Sequence, residues 1–247
     1  MWFEGALGSL LEKDLRSAWR DPGLKATLFL GLAGPLLFVV LFSQARPGGG
    51  SGSLLLTLAA FIGVSSFGAN AFGFERRGIG LLLSFPVARW RLLVAKNLAA
   101  AIFRLPGLLT LLVACMFMAP LAYLPAALTI AAVTWLLAAG VDNFISILFP
   151  VALPGPGRNP YGGATGGRGL GAAALTAVLL VGVLALSSPF VFLAWLPLLL
   201  GRPWLWLASL PLALAGTLAV YAMLVDRAER LLGRREPELI ERILGEA

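Results

Sequence analysis

The chain has 247 residues, 59% of them hydrophobic and 13% charged, with a mean hydropathy of +0.90 and a formal net charge of +7. Soluble domains carry about 25% charged residues, so this composition belongs in a membrane rather than around an enlarged aqueous-domain core. One cysteine and no histidine exclude an internal disulfide, a histidine-built metal cluster and histidine acid–base catalysis, and bases spread over membrane-flanking segments favour lipid headgroups over nucleic acid.

A helix that crosses a bilayer needs about 20 mostly apolar residues, each rising about 1.5 Å. Residues 1–22, MWFEGALGSLLEKDLRSAWRDP, come before the first such run. Phe3, Leu7, Leu11, Leu15 and Trp19 recur every four positions and share one helical stripe, with Lys13, Arg16 and Arg20 on another. Asp21-Pro22 stops that helix at the membrane, which predicts an amphipathic elbow at the interface, the plainer alternative being an ordinary juxtamembrane helix. Six apolar runs then stand as expected spans, over residues 26–42, 54–74, 98–118, 124–141, 172–188 and 204–225, and 226–247 form a charged tail. Cys115, inside LLVACMFMA of the third run, reads as a small apolar packing residue.

Between the second and third runs, FGFERRGIGLLLSFPVARWRLLVAKN (72–97) crowds Arg76, Arg77, Arg89, Arg91 and Lys96 with Glu75 around an apolar patch. For any one of these bases, setting topology is explanation enough. The pattern asks for more. Gly78 and Gly80 loosen the exit of the second span, and Leu82, Leu83 and Phe85 form a patch that Pro86 ends. Trp90, Leu92, Leu93 and Val94 then alternate with bases, as in a helix lying along the interface. A tether needs neither the patch nor the second helix, whereas a short helix presented to a cytoplasmic partner uses both.

The glycine-rich NPYGGATGGRGLG (159–171) has the spacing of a phosphate loop at Gly162 and Gly167, but Arg168 and Gly169 stand where lysine and serine or threonine are required, so it reads as a flexible connection. Ser187-Ser188-Pro189 predicts a break after the fifth span, with Phe190–Leu200 a short re-entrant or interfacial element; one long tilted helix is the alternative. With both termini inside, all the basic residues except Arg46 and Arg202 fall on the cytoplasmic side, as the positive-inside rule requires. Every acid, including Glu75 and Asp142 at span ends, maps to that side, and Arg104 snorkels to it, which disfavours ion-coupled carriage. Ser65, Ser66, Asn70, Thr110, Thr129, Thr134 and Thr176 are the polar span residues, more often packing groups than ligands.

KDLRSAWRDP before the first span, NAFGFERRGIGLLLSFPVARWRLLVAKNLA after the second and VDNFISILFP after the fourth resemble the permease subunits of ABC exporters of the ABC-2 type. The resemblance implies an all-α integral membrane protein of the cell membrane: six spans, an elbow helix (Lys13, Arg16, Trp19, Arg20) and a coupling helix between spans 2 and 3. That helix docks a separate ABC ATPase and falls on Arg77, Leu82, Leu83, Phe85, Arg89 and Arg91, with Glu75 and Arg76 at its membrane edge. It also implies a second permease copy, as homo- or heterodimer, and a chain that is either a whole permease or the counterpart of half of a longer one. No cofactor, catalytic residue or metal is expected on this chain, and no nucleic acid partner. The alternative function is a membrane scaffold that recruits a cytoplasmic partner without transport.

Overall fold

The computed structural model describes residues 5–20, 68–118, 120–150 and 170–245, with the single positions 25, 33, 37 and 59. The expected first span, the second up to residue 67, the Asp21-Pro22 stop and the glycine-rich loop up to residue 169 lie outside the described residues. Those described form six α-helices: α1 (Gly5–Arg20), α2 (Ile79–Ser84), α3 (Arg89–Met118), α4 (Leu124–Leu148), α5 (Leu170–Leu199) and α6 (Trp206–Gly245). Short 3-10 turns at Gly68–Asn70, Gly73–Gly78, Leu121–Tyr123 and Pro203–Leu205 join or precede them. Among the described residues, four stretches are long and apolar enough to cross a membrane: Arg89–Val113, Leu121–Leu148, Val181–Leu199 and Pro203–Leu244.

Three boundaries differ from those read in the sequence. The helix along the interface and the third span are one element, α3, because nothing between Arg89 and Leu105 breaks a helix, and Leu92, Leu93 and Ala95 are buried in the protein. The fourth span runs on past Val141 to Leu148, carrying Asp142 and Asn143 inside the helix. The expected break at Ser187–Pro189 is absent, and α5 continues through Pro189 to Leu199. Proline has no N–H to give the carbonyl of Ala185 four residues back. The hydroxyl of Ser188 donates to that carbonyl at 2.8 Å, and Ser187 donates to the Leu184 carbonyl at 3.0 Å. The neighbouring serine replaces the lost bond, as happens in helices with no water at hand.

α4 packs against α6 most extensively, and α5 lies against both. At one end the core is made of small residues, with Ala126, Ala127, Ala131 and Ala194 around Leu111 and Ile130. Apolar side chains gain little by leaving lipid for protein, so close backbone approach and dispersion hold such helices together. Gly216 shows how close: a Cβ built there would lie 2.6 Å from Cε1 of Phe190. At the other end a larger core gathers Leu10 of α1, Phe72, Ile79, Leu82 and Leu83, Leu92 and Leu93 of α3, Ile147 of α4, and Val225 to Ile243 of α6.

A helix forms within residues 1–22 as expected, α1, and it packs on α3. The stripe of residues four apart does not stay on one face, because each step overshoots a turn by about 40° at 3.6 residues per turn. Leu11 is therefore buried while Trp19 is 67% exposed, with the Lys25 ammonium 5.4 Å from its ring centre.

Candidate functional site

The charged end of the bundle is built from three stretches far apart in sequence: α1, residues 73–96 and the tail of α6. Glu75 sits in the Gly73–Gly78 turn, and its carboxylate takes hydrogen bonds at 2.6 Å from Lys13 of α1 to both oxygens. Lys96 of α3 donates to the same carboxylate and, at 3.1 Å, to the carbonyl of Ala71. Asp14 completes the group, 3.0 Å from Lys13 and 3.8 Å from Lys96. Two acids and two bases thus form a neutral, largely buried cluster that joins α1, the 73–78 turn and α3. Burial by itself raises the Glu75 carboxyl, but the ammonium groups of Lys96 and Lys13 outweigh it and hold the group down at about 2. Of the residues expected in the elbow, Lys13 belongs to this cluster, Arg16 pairs with Glu12 one turn back, and Trp19 and Arg20 are exposed.

The stretch from Gly78 to Arg91 folds back on the protein. α2 ends at Ser84, and Phe85 takes an extended conformation (φ −66°, ψ 136°), as the residue before Pro86 must. Ile79, Leu82 and Leu83 point into the large core and are at most 5% exposed. The expected patch of Leu82, Leu83 and Phe85 is thereby divided: the two leucines serve the chain's own packing, and Phe85 is outside. The exposed apolar side chains here are Leu81, Phe85 and Trp90, with Arg91 exposed beside the Trp90 ring. Arg76 and Arg77 lie in the 73–78 turn, and their side chains are outside the described residues.

Arg89 is not a free rim charge. Its guanidinium donates to the carbonyls of Leu83 (2.8 Å), Phe85 (3.2 Å) and Val87 (3.4 Å), and grips both carboxylate oxygens of Glu236 on α6, one of them at 3.0 Å. Two turns back along α6, Glu229 accepts the backbone N–H of Trp90 at 3.1 Å. Two acids of the tail therefore hold the turn and the start of α3.

Deeper in the bundle, Arg104 of α3 and Asp142 of α4 face each other at 3.8 Å, their side chains 7% and 10% exposed. Arg104 is thus turned inward rather than snorkelling, and Asp142 is a helix-interior acid rather than a span-end one. Gly68 makes room for it, since a Cβ there would lie 2.6 Å from Asp142 Oδ2. Asn97 donates to the Tyr221 hydroxyl at 2.9 Å, and Ser146 accepts the Phe72 N–H at 2.8 Å. Thr110 and Thr134 spend their hydroxyls on carbonyls of their own helices, Pro106 and Ile130, and so act as packing groups.

Asp14, Glu229, Glu236 and the Arg104–Asp142 pairing are not among the site residues expected from the sequence. For the last a signal was present: opposite charges inside consecutive apolar runs need each other. For Glu229 and Glu236, in a tail where acids and bases alternate, nothing marked out these two.

Helices of this length and composition, packed through alanines and glycines around paired internal charges, define a multi-span helical membrane protein. The chain belongs to the family described as "Membrane protein of 12 TMs", which matches residues 3–144, from α1 through most of α4. No curated protein and no solved structure matches it.

Proposed function

We propose that the chain is the permease subunit of an ATP-driven exporter of the ABC-2 type. A separate ATPase docks on the exposed face of residues 79–91, and a second permease copy completes the pathway. One observation carries the reading: α2 is anchored by Ile79, Leu82 and Leu83 in the chain's own core while Leu81, Phe85 and Trp90 stand exposed at the charged end. A loop that only sets topology needs no anchored helix and keeps no large apolar side chains in water. Rigid apolar side chains within a basic surface suit a protein partner, with buried anchors at its centre and charges at its rim.

The sequence offers no phosphate-binding loop, so ATP is bound and hydrolysed on the partner chain. The second copy, as homo- or heterodimer, is what the resemblance to such permeases implies. With both termini in the cytoplasm, the docking face is cytoplasmic, and ATPase closure moves two such faces to expose the pathway alternately. With the Arg104 and Asp142 charges facing each other, the substrate class that suits the otherwise apolar interior is hydrophobic: lipids, drugs or hydrophobic peptides.

The test is Phe85→Asp in proteoliposomes that contain both subunits. Phe85 is 44% exposed, so the change leaves folding intact, whereas Leu83→Asp would place a charge in the core. ATPase docking and permease-stimulated hydrolysis should both be lost with the permease still inserted. Normal export by the variant overturns the reading. Partner recruitment by the wild type without ATP-dependent transport assigns the chain a scaffold role instead.

A further inference from the structure

We propose that the extension of α6 beyond its span is the lever of this protein: Glu229 and Glu236 position the docking face and carry its displacement into the last transmembrane helix. The inference rests on the docking role assigned to residues 79–91 and names the part that responds.

The length of α6 comes first. Forty residues at about 1.5 Å each give a helix about 60 Å long, twice the roughly 30 Å hydrocarbon thickness of a bilayer. The apolar half ends near Val225, and the rest, DRAERLLGRREPELIERILG, is charged. This second half is helical without interruption, so the span and its extension move as one rod. Pro211 and Pro237 lie inside the helix, and Pro237 leaves the Gly233 carbonyl, between the two acids, without its helical donor, so Glu229 is the acid with unbroken helix between it and Val225.

The extension is also seated. Val225, Ala228, Leu232, Leu239 and Ile243 fall on one helical face and are buried in the same core as Ile79, Leu82, Leu83, Leu92 and Leu93. The opposite face carries Arg227, Arg230 and Arg234, all exposed. Such apolar packing holds the two parts together, but the hydrophobic effect itself is non-directional and adds no polar tie at the turn between α2 and α3.

Direction comes from the acids. Glu236 takes Arg89 in a two-pronged grip, and that same guanidinium binds three carbonyls of the turn between α2 and α3. Both side chains are about three-quarters buried, with 23% and 24% exposed, so this pair is screened far less than a surface one. Glu229 accepts the N–H of Trp90 in the first turn of α3, where an anion also meets the positive end of the helix dipole. A push on Leu81, Phe85 or Trp90 therefore reaches α3 and α6 together. Without the two acids it would reach α6 only through that apolar contact, with no ionic tie fixing the register.

The experiment uses Glu236→Ala, Glu229→Ala and the double variant, each with the ATPase subunit in proteoliposomes. Spin labels at Arg91→Cys and Arg230→Cys, in a Cys115→Ala background, report the clamp with no ATPase present; both positions are exposed. The expected results are a single narrow label distance in the parent that broadens in the double variant, ATPase binding within about twofold of the parent, and permease-stimulated hydrolysis reduced at least about tenfold, the factor for losing a charge-assisted hydrogen bond. Glu236→Asp, which can re-form the pair, should recover part of that loss. An unchanged label distance overturns the clamp. A broadened distance with stimulation within twofold of the parent overturns the lever and leaves the exporter reading standing. Failure of the parent chain to bind any ATPase overturns that reading and the lever with it.

Discussion

Glu75→Gln removes the carboxylate that Lys13 and Lys96 share. Asp14 remains 3.0 Å from Lys13, so the charge left uncompensated is chiefly the Lys96 ammonium, whose side chain is 7% exposed. The Glu75 carboxyl is held at about 2 against an ordinary 4.5, and at about 1.4 kcal/mol per unit that gap corresponds to about 3 kcal/mol of stability at neutral pH. Removing one partner of a buried pair costs about 3–5 kcal/mol, which agrees. The sign follows from the depressed value. The contribution is complete above pH 4.5 and drains away as the pH falls from there towards 2, where the carboxyl takes up its proton in the folded protein as well. Unfolding in mixed micelles, followed by tryptophan fluorescence, should show the variant about 3 kcal/mol less stable at pH 7 and its acid sensitivity correspondingly shallower between pH 4.5 and 2. Glu75→Leu with Lys96→Met should recover most of the loss, because Lys13 and Asp14 then pair alone and an apolar pair fills the space. A single variant within about 0.5 kcal/mol of the parent, the range of ordinary surface changes, would sink the argument.

Arg104→Met should cost about 3–5 kcal/mol in the same assay and Arg104→Met with Asp142→Leu much less; equal losses would show that the two charges do not depend on each other. Ser188→Ala should cost about 1 kcal/mol, and nothing when Pro189→Ala restores the backbone donor, so equal costs in the two backgrounds would refute the hydroxyl's role at Ala185. Gly216→Ala should destabilise by about 1–3 kcal/mol through the Phe190 ring, whereas Gly182→Ala, with open space around it, should be neutral or mildly stabilising. In intact cells a cysteine at Arg202 should react with an impermeant maleimide and one at Arg234 should react only after permeabilisation; the reverse pattern overturns the assigned orientation.

The sequence alone determined the features that depend on composition and on nearest neighbours along the chain. Apolar runs set which stretches become long helices, and Pro86 set where α2 stops, because proline acts on the residue beside it whatever the fold. Pro189 shows the limit of that logic. Its missing N–H is a local fact, but whether the helix breaks depends on a substitute donor, and Ser188 supplies one only in the rotamer that the packed helix adopts. Tertiary structure alone decided the direction in which α2 faces. Leu81, Leu82 and Leu83 are consecutive and point about 100° apart, so a six-residue helix shows apolar groups all round and carries no periodic signal of its own. The seat offered by α6 turned Leu82 and Leu83 inward and left Leu81 out. The ionic partners were hidden for the same reason. Lys13 and Glu75 are 62 positions apart and Arg89 and Glu236 are 147 apart, and charge has no periodicity by which one sequence names a distant mate. Only the bundle, by stacking α1, α3 and α6 at one end, brings those groups within a few ångströms, where burial makes their pairing obligatory.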